Sequence, residues 1–386
     1  MVKSSIKIFV HLAHGYGADS WNRRWRAGRI LGINEPFPYG YYRAEMMGCS
    51  VKHSHDLVES APRKLWRLAV RVIAGFDLVH AWRNFDGIRN ADVVWTHTES
   101  QFLSILFLFR FLPAGARPRM ISQSVWLFDR WPRFSGLRRW LFSKLLCQAD
   151  VLTVHSPDNL AVARRLFPSV RSELLLFGIA ADEKVAPAPR PRGQSLNIIS
   201  LGNDEHRDWD LLISAVAARP NWSLKIASQK VRASAVSNVG NIQIVSASTN
   251  EELLALYRSA DLLVLAIKPN LHASGVSVLQ EAALFGIPVI CSDTGGVNAY
   301  FNASQVRFVP PGDVDAIRAA IDELANNPEA ALELARNAQQ QMGPNGLSSE
   351  AFVRRHVELS RALLASERPS ASQALPDQTM PLPDNR

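Results

Sequence analysis

The residues best suited to chemistry lie between Asn270 and Glu281. Asn270-Leu271-His272-Ala273-Ser274-Gly275-Val276-Ser277 is a polar, glycine-containing loop that opens into the helical pattern Val278-Leu279-Gln280-Glu281-Ala282-Ala283-Leu284. The first turn of a helix leaves backbone N–H groups without intrahelical partners and carries the positive end of the dipole, so such a loop suits a diphosphate. Glu281 follows about one turn into the helix, where its carboxylate could accept two vicinal ribose hydroxyls. Any one of these residues would fit an ordinary αβ unit with a surface glutamate; the string as a whole carries the reading.

Three further positions stand at places where ligands bind. His14-Gly15-Tyr16-Gly17 follows the first apolar strand, at the carboxyl edge of a sheet, which makes Gly15 and Gly17 candidate ligand-binding positions. His97-Thr98-Glu99 occupies a similar edge after Ala91–Trp95, and His97 and Glu99 are the candidate catalytic pair. Lys230, after Ser223–Ala227, is a cation that could reach a leaving diphosphate as charge develops on it, or else a solvated loop lysine. Asp208-Trp209-Asp210 resembles a metal-binding DxD, but it opens a helix, where acidic residues complement the dipole. With no His/Asp cluster at ligand spacing, neither a metal nor a cofactor is expected.

These loops need strands to hold them. The first half alternates short apolar runs (Ile6–Leu12, Ala91–Trp95, Arg119–Ser124, Asp150–His155) with longer helical patterns, including Phe102–Leu112, whose eleven residues are too few to cross a bilayer. Strands separated by helices of this length imply βαβ units and a parallel sheet. Residues 181–195, with three prolines at alternate positions, interrupt the alternation as a stiff linker. It restarts with Leu196–Leu201, Ser223–Ala227, Ile242–Val245, Asp261–Ala266 and Pro288–Ser292. The expected layout is α/β: a Rossmann-like domain over 1–180, the linker, a second domain over 196–345, a helix over 346–365 and a disordered tail over 366–386.

A chain of 386 residues with 47% hydrophobic and 20% charged residues can bury two cores without staples. Cys49, Cys147 and Cys291 show no ligand spacing and suit a reducing compartment, and the apolar run before His11 is too short for a secretory leader, so a cytoplasmic location is expected. Net charge is +12 over residues 1–180 and −4 over the rest. Basic and aromatic residues interleave around Trp21, Trp66 and Trp131–Phe142. Together they point to an anionic membrane surface, with a solvated basic face as the plain alternative; nucleic acid is not expected, because no nucleic-acid motif accompanies them.

Glu251-Glu252-Leu253, Tyr257 and Ala260-Asp261, then Gln280-Glu281-Ala282, Gly286-Ile287-Pro288-Val289-Ile290 and Ser292-Asp293-Thr294-Gly295-Gly296 resemble, in order and spacing, the group 1 (family 4) glycosyltransferases. The resemblance implies a GT-B fold: two Rossmann-like domains facing across a cleft. The second would hold a nucleotide diphosphate sugar, and the first a saccharide or polyprenyl-linked acceptor. It also implies hexose transfer with retention, without a metal, in bacterial polysaccharide synthesis at the inner face of the cell membrane. The family's first donor-sugar glutamate falls on Ala273, so the amides of Ser274, Gly275, Val276 and Ser277, with His272, are expected in its place. Its arginine after the first strand of this domain falls on Asn203, and Arg207 comes near the family's lysine. These departures support a rival reading, a catalytically silent GT-B scaffold within a polysaccharide-synthesis complex. A nucleotide-sugar epimerase of the same fold is a third, weakened by the basic, aromatic first half.

Overall fold

The computed structural model describes residues 5–189 and 195–367. Six strands of the first half, β1 (Ile6–His11), β2 (Cys49–His53), β3 (Val93–Thr96), β4 (Arg119–Ser124), β5 (Val151–Val154) and β6 (Ser172–Leu174), form a parallel sheet in the order β2-β1-β3-β4-β5-β6. Six more, β7 (Leu196–Leu201), β8 (Trp222–Ala227), β9 (Ile242–Val245), β10 (Leu262–Leu265), β11 (Val289–Ser292) and β12 (Arg307–Val309), form a second in the order β12-β11-β10-β7-β8-β9. The inner strands β3, β5, β10 and β11 are buried along their whole length, which is why they read as continuous apolar runs rather than alternating ones. The short strands β2, β6 and β12 were not expected. They are edges with polar residues, so no apolar run marks them.

The expected apolar helix is Glu99–Phe109, started by a Thr98/Gln101 capping box and packed with Phe76, Phe128 and Phe142 in the first core. Asp208 caps the Trp209–Ala217 helix by accepting from the Leu211 amide, as the sequence suggested. The Ser349–Ala365 helix lies last among the described residues, yet it packs on the first sheet: Phe352, Val353 and Val357 join Ile8, Val10 and Trp95, and Trp95 Nε1 donates to Ser360 Oγ at 2.9 Å. The chain thus crosses between the sheets twice, and the crossings touch at an Ile179–Ser348 bridge. Gly178 permits that approach, since a Cβ there would stand 2.2 Å from the Ser348 carbonyl oxygen. Residues 181–189 follow the second half, with the Val185 amide donating to Leu284 O. The rest of the expected linker (190–194) and nearly all of the expected tail (368–386) lie outside the described residues.

Candidate functional site

At the carboxyl ends of β7, β8 and β9, marked by Leu201, Ala227 and Val245, lies a cavity of about 230 Å³. Gly202, Asn203, Gln229, Tyr257, Ser277 and Glu281 line it, and Leu31 and Gly32 of the first half close one side. A cavity of about 280 Å³ opens at the opposite edge of that sheet, beside Leu196, Leu262 and Pro288. In open α/β sheets ligands bind outside the carboxyl ends of the strands, so the first is the candidate site.

Arg207 is the most informative residue beside it. It is 4% exposed, and its Nε and Nη1 have no hydrogen-bond partner. The guanidinium is wedged between two glycines: a Cβ on Gly202 would stand 2.7 Å from Nε, and one on Gly275 would stand 2.4 Å from Nη1. Both glycines have positive φ, and the absence of a Cβ at each makes room for this side chain. Burial lowers the Arg207 pKa. A buried, unpaired cation is costly, and an anion arriving beside Gly202 and Gly275 would relieve that cost.

The loop ahead of the Val276–Leu284 helix is shaped by Asn270, whose Oδ1 accepts from the amides of His272 and Ser274, each at 3.2 Å. Ala273, where the resembled family carries a carboxylate, sits at φ +53°, in the left-handed region. Ser274 is buried with an unpartnered hydroxyl, and the Val276 amide is already spent on Ala273 O. That corrects the expectation for Val276; Gly275 and Ser277 remain as amides of the helix's first turn, and Ser277 lines the cavity.

Glu281 is 8% exposed and reaches the cavity, but its carboxylate is already in use. Oε2 accepts from the Tyr257 hydroxyl and Oε1 from the Ile33 amide at 3.0 Å. The segment of the first half that reaches across is pinned by Asn250, which accepts from the Gly32 amide at 2.8 Å. Burial raises the Glu281 pKa, and these two hydrogen bonds oppose the rise.

His272 differs from its expected role as an open donor to the sugar. Its Nδ1 and Nε2 lie 3.1 Å from Asp129 Oδ2 and 3.0 Å from Asp204 Oδ2. Ionised carboxylates only accept, so the ring donates at both nitrogens and is an imidazolium. Burial acts to lower its pKa, but the bonds to Asp129 and Asp204 raise it to about 9. Burial likewise acts to raise the Asp204 carboxyl, and His272 with His206 holds it well below the usual range. Asp129 comes from the first half, also accepts from the Leu271 amide at 2.8 Å, and so clasps the two halves together. Ser156 adds a second grip by donating to Leu271 O.

Asp204, His206 and His272 bring ligand atoms within 4.8 Å of one another, a grouping that sequence spacing did not reveal. Without a metal these residues form an ion-paired clasp; a metal bound there would take the place of the His272 Nε2 proton, with Asp129 still accepting from Nδ1.

His97 lies under the Tyr39 ring at 3.6 Å, and its Nδ1 is 2.9 Å from the Tyr41 hydroxyl and 3.1 Å from Gln123 Nε2. Gln123 Nε2 also donates to His97 O at 3.2 Å, which fixes the amide orientation. Nδ1 therefore accepts and the proton sits on Nε2. Burial, with His155 and His356 nearby, pushes the pKa well below its usual value, so the ring is neutral. Glu99 accepts from the Val125 and Trp126 amides at 3.3 and 3.4 Å; it ties down the loop after β4 rather than standing free as a base. Gly15 and Gly17 give their amides to Asp56 at 2.8 and 2.9 Å, so they shape a turn and offer no free donors there. Lys230 is exposed and follows Gln229 of the cavity wall.

The sequence profile "Glycosyl transferases group 1" matches residues 183–341. A glycogen synthase of Mycobacterium tuberculosis is 30% identical over 138 residues, which is 36% of this chain and 31% of that protein. The chain thus matches about a third of the length of its curated relatives. Among solved structures, a sucrose-phosphate synthase from Thermosynechococcus elongatus is 18% identical with TM-score 0.69, covering 93% of this chain and 99% of the other. Anabaena HepE in complex with UDP is 13% identical with TM-score 0.61, covering 92% of this chain and all of the other. At these identities the solved structures speak for the fold, two facing parallel α/β halves known as GT-B. Residues 183–341 are thus similar to the group 1 glycosyl transferases, and the chain carries the GT-B fold.

Proposed function

We propose that this chain transfers a hexose from a nucleotide diphosphate sugar to a saccharide or polyprenyl-linked acceptor, with retention and without a metal. The observation that carries the reading is Arg207, a buried guanidinium with two unpartnered nitrogens beside the cavity that Glu281 lines. The solved HepE structures with UDP and with UDP-glucose are the precedent for a nucleotide sugar on this architecture.

In this mechanism the diphosphate lies against Arg207 and the amides of Gly275 and Ser277, and Glu281 takes the ribose with the acceptor sites that Tyr257 and Ile33 leave open. The anomeric carbon–oxygen bond breaks toward the diphosphate, whose growing charge is met by the guanidinium. The acceptor hydroxyl forms the new bond on the same face and its proton passes to the leaving phosphate, so no protein nucleophile is needed. His97 Nε2–H positions the donor sugar as a neutral hydrogen-bond donor. The Asp129–His272–Asp204 clasp sets the distance between the halves. The protein would work in the cytoplasm, docked on the inner face of the cell membrane.

A silent scaffold remains the second reading, favoured by Ala273 and Asn203 at two positions where the family carries charge. Thermal-shift screening against nucleoside diphosphates and their sugars, followed by NMR of donor hydrolysis, tests both. A selective shift with turnover supports the enzyme, a selective shift without turnover supports the scaffold, and no shift with any nucleotide overturns both.

A further inference from the structure

The Ala61–Ala74 helix is turned inside out. Its one buried residue is Arg67, at 5% exposure, ion-paired to Glu59 at 3.0 Å and Asp77 at 2.6 Å. Its apolar residues face solvent: Leu65 is 67% exposed, Trp66 59%, Val72 74% and Ile73 82%. Positions i, i+1, i+7 and i+8 share one face of a helix, so these four form a single stripe opposite Arg67. The hydrophobic effect would ordinarily turn such a stripe inward. Here two salt bridges hold the polar face down and leave the apolar face outward.

A second helix lies against the end of this one. Arg138 Nη2 donates to Val72 O at 3.1 Å, and a Cβ on Gly75 would stand 2.9 Å from the Phe142 ring, so the Gly136–Leu146 helix abuts its end. That second helix exposes Leu137 and Trp140. Apart from Glu59 and Asp77, which are taken up by Arg67, the charges on both helices are of one sign. Residues 61–74 carry Arg63, Lys64, Arg67 and Arg71 and no acidic residue; residues 136–146 carry Arg138, Arg139 and Lys144 and none either.

We infer that these two helices form a membrane-docking face, with the Leu65/Trp66/Val72/Ile73 stripe inserted among the acyl chains of an anionic bilayer. An apolar stripe edged by basic residues matches acyl chains below anionic headgroups. A second copy of the chain fits poorly, because a two-fold contact would set each basic rim against its like. The inference deepens the peripheral-membrane part of the proposed function. It also corrects the sequence-based surface: Trp21 is 3% exposed, its Nε1 donates to Glu35 O, and it takes no part in the face.

The test is co-sedimentation of the full chain with phosphatidylglycerol/phosphatidylcholine vesicles at low salt and at about 0.5 M salt, where the Debye length falls to roughly 4 Å, comparing wild type with Leu65→Gln/Val72→Gln/Ile73→Gln. These side chains are exposed, so the variant should fold, and circular dichroism checks that it does. Expected are binding that requires anionic lipid, a salt-resistant remainder, and at least a tenfold loss in the variant. Nucleotide affinity is measured in parallel and should be unchanged, so failure of docking is distinguishable from failure of the transferase reading. Wild type that ignores vesicles, a variant that binds them as well as wild type, or a wild-type dimer that the variant dissociates would each overturn the inference.

Discussion

Replacing Arg207 with Met should make the empty protein more stable while removing diphosphate affinity. The side chain is almost fully buried, and Nε and Nη1 lack partners. Each buried unsatisfied donor costs about 1–3 kcal/mol, more where charge is involved. Met keeps much of the length that fills the space between Gly202 and Gly275 but carries no donor. Allowing for some lost packing, we expect a gain of about 2–3 kcal/mol, which for a protein of this size raises Tm by roughly 2–4 °C. The same change removes the charge-assisted hydrogen bonds proposed for the diphosphate, worth about 1.5–3 kcal/mol each, so affinity should fall at least tenfold. Differential scanning calorimetry with and without UDP reads both quantities: the variant should melt higher when empty and gain little from the nucleotide. A variant that melts lower and still binds as wild type does would make Arg207 a structural residue, and the argument from its unpaired nitrogens would fail.

Three further outcomes are expected. His272→Gln should destabilise the protein at pH 6 by up to about 3 kcal/mol, because a pKa raised from 6.5 to about 9 contributes stability that is fully present below 6.5 and lost as pH rises through 9; a wild-type-minus-variant difference that stays constant from pH 6 to 9.5 would contradict the imidazolium clasp. Glu281→Ala should weaken nucleotide binding by about 1–3 kcal/mol, and calorimetry showing full affinity in the folded variant would remove Glu281 from the site. Transfer should continue in EDTA; activity lost to chelation and restored by magnesium or manganese would show that Asp204, His206 and His272 hold a metal.

What was legible in the sequence follows from distance along the chain. Central strands such as Val151–Val154 and Leu262–Leu265 stand out because burial on both faces demands an unbroken apolar run. The Asn270–Glu281 string was legible because loop, helix start and carboxylate are contiguous. The Asp208 cap was legible because its effect is local. By contrast, Asp129 lies 143 positions from His272 and Ile33 lies 248 from Glu281, so nothing in local spacing announces either contact. The same limit applies to Arg67, whose burial rests on Glu59 and Asp77, and to Trp21, whose indole finds Glu35 O. An aromatic–basic segment reads identically whether its tryptophan points inward, as Trp21 does, or outward, as Trp66 does.

In the proposed function the cavity at the carboxyl ends of β7–β9 binds a nucleotide diphosphate sugar and the chain transfers its sugar. The most direct measurement is isothermal titration with UDP-glucose and other nucleotide sugars, run on wild type and Arg207→Met and paired with NMR of the anomeric proton during turnover. Selective binding of one nucleotide, loss of that binding in the variant, and release of the sugar with its anomeric configuration retained are expected. Folded wild-type protein that binds no nucleotide sugar, or binds one equally well without Arg207, would contradict the proposed function.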